Sequence, residues 1–212
     1  MSDRKSHWER VHEAESPTEL SWHQASPKLS LNLIRDAAPD PATAIIDIGG
    51  GASTLVDALL SEGYRDVTVL DISELALAHS KKRLGIRADE ADWIVADITT
   101  WWPTRTWDVW HDRAVFHFLT NPIQQDAYVA NLARATAPGS MVIISTFALD
   151  GPQTCSGLPV QRYSRDSLAA RLGHVFELID EHFERHLTPR GSSQSFIYAV
   201  LRRATGKGEH RL

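Results

Sequence analysis

The chain has 212 residues, 42% of them hydrophobic and 23% charged, which suits one α/β domain with a full core. Its formal net charge of −5 supplies no overall positive field for nucleic acid or an anionic membrane, and no apolar run approaches the roughly 20 residues that span a bilayer. The stretch Met1 to Glu15 has no apolar secretory core, the single Cys155 can form no internal disulfide, and the ten histidines fall in no zinc-binding pattern. A cytoplasmic protein, monomeric or homodimeric, without metal or membrane attachment, is therefore expected. Residues 1–41 read as a helical cap segment, in which Ser26-Pro27 resembles a helix start and Leu29, Leu33 and Ile34 give an apolar helical face. Pro39 and Pro41 end that helix, and a domain over 42–203 follows. Within it, Ala44 to Ile48 reads as a buried strand, Ser53 to Leu60 as a helix, Val67 to Leu70 as a strand and Glu74 to Leu84 as a helix. Trp93 to Ala96 is a third strand, Trp107 to Val109 a fourth, Asn121-Pro122 opens a helix to Ala135, and Met141 to Phe147 is a fifth strand. This alternation predicts a parallel sheet with right-handed crossovers. At the end the rhythm changes: Phe176 to His186 and Ser195 to Leu201 flank the turn residues Thr188 to Gly191, leave no room for a helix, and predict an antiparallel hairpin. Residues 204–212 read as a polar tail.

The strongest local signal is Asp47-Ile48-Gly49-Gly50-Gly51-Ala52-Ser53, set between a buried strand and a helix. Glycines there let the chain turn sharply and let a ligand approach the main chain, at the carboxyl ends of the strands. Asp71 ends the second strand about 20 residues on, where a carboxylate can accept from two ribose hydroxyls; the same residue could instead cap the next helix. Asp97 ends the third strand. It could accept from an exocyclic adenine amine, with the Ile98 N–H beside it, or serve only as a turn residue.

These residues resemble the motifs of the class I S-adenosylmethionine-dependent methyltransferase family. Asp47-x-Gly49-x-Gly51 resembles its first motif, Val69-Leu70-Asp71 its ribose-binding motif, Ala96-Asp97-Ile98 its adenine motif, and Trp107-Asp108-Val109-Trp110 the lead-in to the segment after the fourth strand. The terminal hairpin is likewise a family feature, and the resemblance runs from about Ile45 to Leu201. It implies a doubly wound, mostly parallel seven-stranded sheet closed by an antiparallel hairpin. It also implies S-adenosyl-L-methionine as cofactor, with S-adenosyl-L-homocysteine as product. Asp47, Gly49, Gly50 and Gly51 would hold the methionine part, Asp71 with Ile72 the ribose, and Asp97 with Ile98 the adenine. A dinucleotide fits less well: Thr54 stands where the third glycine of a Gly-x-Gly-x-x-Gly loop belongs, and Asp47 would repel a pyrophosphate but suit a cation.

Methyl transfer from a sulfonium needs alignment of acceptor, methyl and sulfur in a dry pocket, and a base only if the nucleophile starts protonated. After the fourth strand comes Trp110-His111-Asp112-Arg113-Ala114-Val115-Phe116-His117-Phe118. His111 and His117 are candidates for that base. Asp112 could pair with Arg113 or hold an amine substrate. The alternatives are that His111 contacts the cofactor and that His117 packs beside Phe116 and Phe118. Trp8 and Trp22 could close the pocket or pack the cap onto the core. Cys155, in the loop 150–159, could act as a soft ligand or be inert. The sequence lacks the Asn/Asp-Pro-Pro-Tyr element of many base methyltransferases, which with the charge argues against nucleic acid. The expected acceptor is a small molecule or a protein side chain. A nicotinamide-dependent oxidoreductase and a non-catalytic S-adenosylmethionine-binding module remain as rivals.

Overall fold

The computed structural model describes residues 3–205, so most of the expected tail lies outside the described residues. Two helices come first, α1 (Asp3–Ala14) and α2 (Lys28–Ala37), followed by β1 (Ala44–Ile48), α3 (Leu55–Ser61), β2 (Asp66–Asp71), α4 (Glu74–Leu84), β3 (Asp92–Val95) and β4 (Trp107–Arg113). Then come α5 (Pro122–Ala135), β5 (Thr136–Phe147), a small ribbon of β6 (Thr154–Cys155) and β7 (Leu158–Pro159), α6 (Arg165–Leu172), β8 (Phe176–Leu187) and β9 (Ser193–Arg203). Seven strands form one sheet in the order β3-β2-β1-β4-β5-β9-β8. The pairs among β1 to β5 are parallel, while β9 runs antiparallel to both β5 and β8. The expected seven-stranded sheet with its closing hairpin is the one observed.

The core lies on both faces of this sheet. Ile45, Val69, Val109 and Ile143 point into one layer with α2 and α3, and Ile46, Leu70, Trp110 and Ile144 into the other with α5 and α6. Strands covered on both sides read as continuous apolar runs, which is why β1 was legible. The helices begin where their caps dictate. Ser73 accepts the Ala76 N–H at 3.0 Å to start α4, and Asn121 accepts the Ile123 N–H at 2.9 Å ahead of Pro122.

Three expectations are corrected, and one helix was not foreseen. Helix α2 starts at Lys28 with Pro27 in the capping position and no side-chain cap bond, so Ser26 does not cap it. Strand β4 does not stop at Val109 but runs to Arg113. Strand β5 starts at Thr136 rather than Met141, with an irregular register against Trp107. Helix α6 was not expected at all, although Ser164 and Ser167 form a reciprocal capping box and Leu168 and Leu172 bury its inner face.

Candidate active site

The sheet order reverses direction between β1 and β4, and a crevice opens there at the carboxyl ends of the parallel strands. It holds a cleft of about 1340 Å³, counted with its open mouth. Its floor is the loop after β1. Gly49 has φ +68° and Gly51 φ +28°, and the Gly49 and Gly50 N–H groups both donate to the Leu70 carbonyl. From behind, the Ser80 hydroxyl donates to the Gly51 carbonyl at 2.6 Å, and Arg83 donates to those of Ala52 and Ser53. A side chain cannot be fitted here. A Cβ on Gly49 would collide with Val115 Cγ2, one on Gly50 would sit 2.5 Å from Asp47 Oδ2, and one on Gly51 2.6 Å from Asp71 Oδ2.

Both acids beside the loop are buried, Asp47 at 3% and Asp71 at 8% exposure. Asp71 Oδ1 accepts the Ser73 N–H at 2.8 Å, and among the described residues Asp71 forms no ion pair. Burial, and then the negative charge of Asp47, push its carboxyl up to about 7 against the lowering pull of the Ser73 N–H. Ser73, not Asp71, caps α4. Ile72 lines the cleft beside Asp71. Asp97 takes Arg4 Nη2 at 2.8 Å on Oδ2 and the Thr99 N–H and hydroxyl on Oδ1, so it is a turn residue and a cleft-lining acid at once. Ile98 lines the cleft too, and its carbonyl is pinned by the Asn131 amide at 2.7 Å.

Helix α1 closes the cleft from above. Besides the Arg4–Asp97 pair at 2.8 Å, the Glu9 carboxylate accepts the Ser73 hydroxyl and the Glu74 and Leu75 N–H groups at the N-terminus of α4. Trp8 packs edge-on against Trp22 at 5.8 Å and Phe118 at 4.9 Å, so both tryptophans pack the cap and wall the cleft.

The segment expected to follow β4 divides by the strand's alternation. His111 is paired in register with Asp47 on the neighbouring strand, so their side chains share one face. His111 Nδ1 donates to Asp47 Oδ1 at 2.7 Å, and the Ser30 hydroxyl meets Nε2 at 2.9 Å. Both ring nitrogens are engaged and the residue is 1% exposed, which leaves no lone pair for an acceptor's proton. Asp112 points through the sheet to the opposite side. Its oxygens accept the Val115 and Phe116 N–H groups at 2.8 and 3.1 Å and the Tyr128 hydroxyl at 2.6 Å. It does not line the cleft, and Arg113 pairs with Glu184 at 3.3 Å instead. Asp112 as an amine-holding group is therefore corrected to a structural anchor. His117 is fully buried on the cleft wall, its Nδ1 accepts the Phe147 N–H at 3.3 Å, and burial pushes it down to about 3. Burial that disfavours the charged ring tells against His117 as a base. Cys155 lines the cleft, and burial raises its thiol, which suits an inert group.

Sequence reasoning missed Arg4, Glu9, Ser30, Gln194 and Phe196, all contacts made across the fold rather than along the chain. Among the described residues no group of three or more His, Cys, Asp or Glu is placed to hold a metal, and no helix is long and apolar enough to cross a membrane.

A cradle that excludes even a Cβ, with two buried carboxylates beside it, fits a slim ligand bearing positive charge. The methionine part of S-adenosylmethionine is such a ligand, and a third carboxylate at β3 extends the same edge toward a nucleoside. Comparison with known proteins agrees. A family described as a methyltransferase domain matches residues 45–139. That match, together with the fold shared with solved S-adenosylmethionine-dependent methyltransferases, supports the class I methyltransferase family. In the mouse, a protein called eEF1A lysine and N-terminal methyltransferase is 28% identical over 93 residues, which is 44% of this chain. The chain spans only 13% of that relative's length. Solved structures share the fold. A structure from work on the conversion of a disulfide bond into a thioacetal group during echinomycin biosynthesis has a TM-score of 0.77 at 22% identity, covering 97% of this chain and 94% of that one. The N-methyltransferase NodS of Bradyrhizobium japonicum, in complex with S-adenosyl-L-homocysteine, has a TM-score of 0.72 at 16% identity, covering 95% and 99%. The Burkholderia thailandensis 1,6-didemethyltoxoflavin-N1-methyltransferase has 0.70 at 17%, covering 96% and 86%.

Proposed function

We propose that this protein transfers a methyl group from S-adenosylmethionine to a small-molecule acceptor by alignment, without a general base from β4. The observation that carries this reading is the covered cleft: a glycine cradle with buried acids on one side, an aromatic wall on the other, and α1 tied across the top. Asp47, Gly49, Gly50 and Gly51 would hold the methionine part, Asp71 and Ile72 the ribose, Asp97 and Ile98 the adenine. Held by these residues, the cofactor would supply an electrophilic methyl on a cationic sulfur, and the acceptor's lone pair would be its nucleophile. Helix α1 and the wall of Trp8, Trp22 and Phe118 exclude water. The mouse relative's name concerns lysine and protein N-termini; a protein acceptor needs an open groove, and the strap from Arg4 to Asp97 supports the smaller one. A cytoplasmic location and a domain over 42–203 capped by residues 1–41 belong to the same reading.

Thermal unfolding tests the cofactor. S-adenosylmethionine and S-adenosylhomocysteine should each raise the melting temperature, by an amount equivalent to about 2.7 kcal/mol at one hundred times the dissociation constant. NAD should not. Stabilisation by NAD alone would return the oxidoreductase reading, and binding without turnover on any of a broad panel of small-molecule acceptors would return the non-catalytic module.

His111 is a positioning residue in this account, holding Asp47 in place. His111→Ala should weaken S-adenosylhomocysteine binding about ten-fold, the cost of a hydrogen bond to a buried carboxylate. The pH profile of turnover at saturating cofactor should keep its shape. Loss of the acid limb with unchanged cofactor affinity would restore His111 as a base.

A further inference from the structure

The residues lining the cleft divide at the switch point of the sheet. On the β1 to β3 side stand Asp47, Asp71 and Asp97. On the β4, β5 and β9 side stand His117, Phe118, Phe147, Gln194 and Phe196. These meet because β9 runs antiparallel to β5, which pairs Phe196 with Phe147 at the carboxyl end of the parallel strands. The wall is aromatic: Phe147 lies 4.8 Å from Phe196 and 4.7 Å from the His117 ring, and Phe118 lies 4.5 Å from that ring.

Two polar atoms on this wall have no partner. Because His117 Nδ1 accepts the Phe147 N–H, the neutral ring carries its proton on Nε2, and Nε2 has no hydrogen-bond partner in the protein. Gln194 Oε1 is also unpartnered. His117 is 0% and Gln194 8% exposed. Buried polar groups are nearly always satisfied, and leaving one unpaired is costly, so two on one cleft wall mark a place for a ligand's own polar atoms. Charge is balanced on this side. Arg113 is held by Glu184, the Tyr198 hydroxyl and the Trp22 carbonyl, and no carboxylate lines this wall to meet a cationic amine.

We propose that the acceptor subsite takes an uncharged, flat heteroaromatic ring, which accepts a hydrogen bond from His117 Nε2–H and donates one to Gln194 Oε1. The inference rests on the methyl-transfer reading and narrows its acceptor class. Aromatic walls favour planar rings, and the two polar atoms fix the ring's orientation. His117 is then a binding residue that donates a hydrogen bond and takes no proton.

The test is calorimetry on protein saturated with S-adenosylhomocysteine, with 4-quinolone as probe: a flat, neutral ring system bearing a carbonyl and an N–H. It should bind, while benzylammonium and 2-naphthoate should neither bind nor displace it. His117→Phe and Gln194→Leu should each weaken 4-quinolone about ten-fold, the worth of one buried hydrogen bond. Both should hold S-adenosylhomocysteine within about two-fold of the parent, which a merely structural role would not allow. If His117→Phe does not fold, Gln194→Leu and the charge comparison decide alone. Failure of 4-quinolone to bind, equal binding to the variants, or preference for benzylammonium would overturn the inference while leaving the cofactor site standing. Failure of the parent to bind S-adenosylhomocysteine would instead overturn the reading beneath it.

Discussion

Replacing Asp112 by alanine should be the most destabilising single change at the site, costing about 3 kcal/mol or more. The carboxylate is wholly buried, and three donors converge on it: the Val115 and Phe116 N–H groups and the Tyr128 hydroxyl, which itself accepts the Trp110 indole N–H at 2.9 Å. Removing it strands those donors in a layer of Trp110, Phe116 and Tyr128, and each orphaned donor costs roughly 1–3 kcal/mol, less than additively. For a chain of this size that is a fall of roughly 6–12 °C in melting temperature. The carbonyl oxygen left in Asp112→Asn can still accept, so that variant should recover part of the loss. The effect should reach the cofactor indirectly. Asp112 ties down the turn that holds Ala114 at φ +75° and lays Val115 under Gly49. A variant that melts normally yet loses turnover on a methyl acceptor would put Asp112 back in the chemistry.

Asp112 also shows where the sequence stops being legible. Strand β1 and its loop declare themselves because an apolar run ends in glycines, and Asp71 and Asp97 stand out because a carboxylate ends each following strand. Those are local signals. The far half of β4 is polar, and polarity reads locally as the end of a buried strand. His111 and Asp112 are buried and Arg113 partly so, because each has a partner elsewhere: His111 meets Asp47 and Ser30, Asp112 meets Tyr128, and Arg113 meets Glu184. Sequence spacing gives no sign of bonds that span 64 or 81 residues. The docking of helix α1 was obscure for the same reason. It is a polar helix with little apolar face, and it docks through Glu9 at the end of α4 and Arg4 on Asp97. Gln194 and Phe196 reach the cleft only because the closing hairpin runs backward. The direction of that hairpin was legible; which of its residues would face the cleft was not.

Cofactor affinity should depend on the ionisation of Asp71, and Asp71→Asn should remove both the affinity and the dependence. The unfolded chain releases this proton near the ordinary value of 3.8, whereas burial and the charge of Asp47 hold it in the folded chain up to about 7. Between those values the native state binds more protons than the unfolded state, so the unliganded protein loses stability as pH rises. A ligand reverses the balance. Ribose hydroxyls that donate to Asp71 need the carboxylate, and a cation beside Asp47 and Asp71 relieves their repulsion, so binding favours the ionised form. Affinity for S-adenosylhomocysteine should therefore climb as pH rises and level off above about 7, falling by up to about ten-fold per unit below that. Asp71→Asn keeps the size of the side chain and one acceptor oxygen. At pH 8 it should bind roughly ten- to one-hundred-fold more weakly than the parent, because a charged acceptor is gone. Its affinity should change less with pH than the parent's, and its unliganded stability should no longer fall between pH 4 and 7 on this residue's account. Calorimetry and melting curves at pH 5.5, 7 and 8.5 separate the outcomes. Equal affinity of parent and variant at pH 8 would remove Asp71 from the ribose, and a parent affinity that is flat across the three values would mean the carboxyl is already ionised in the empty cleft.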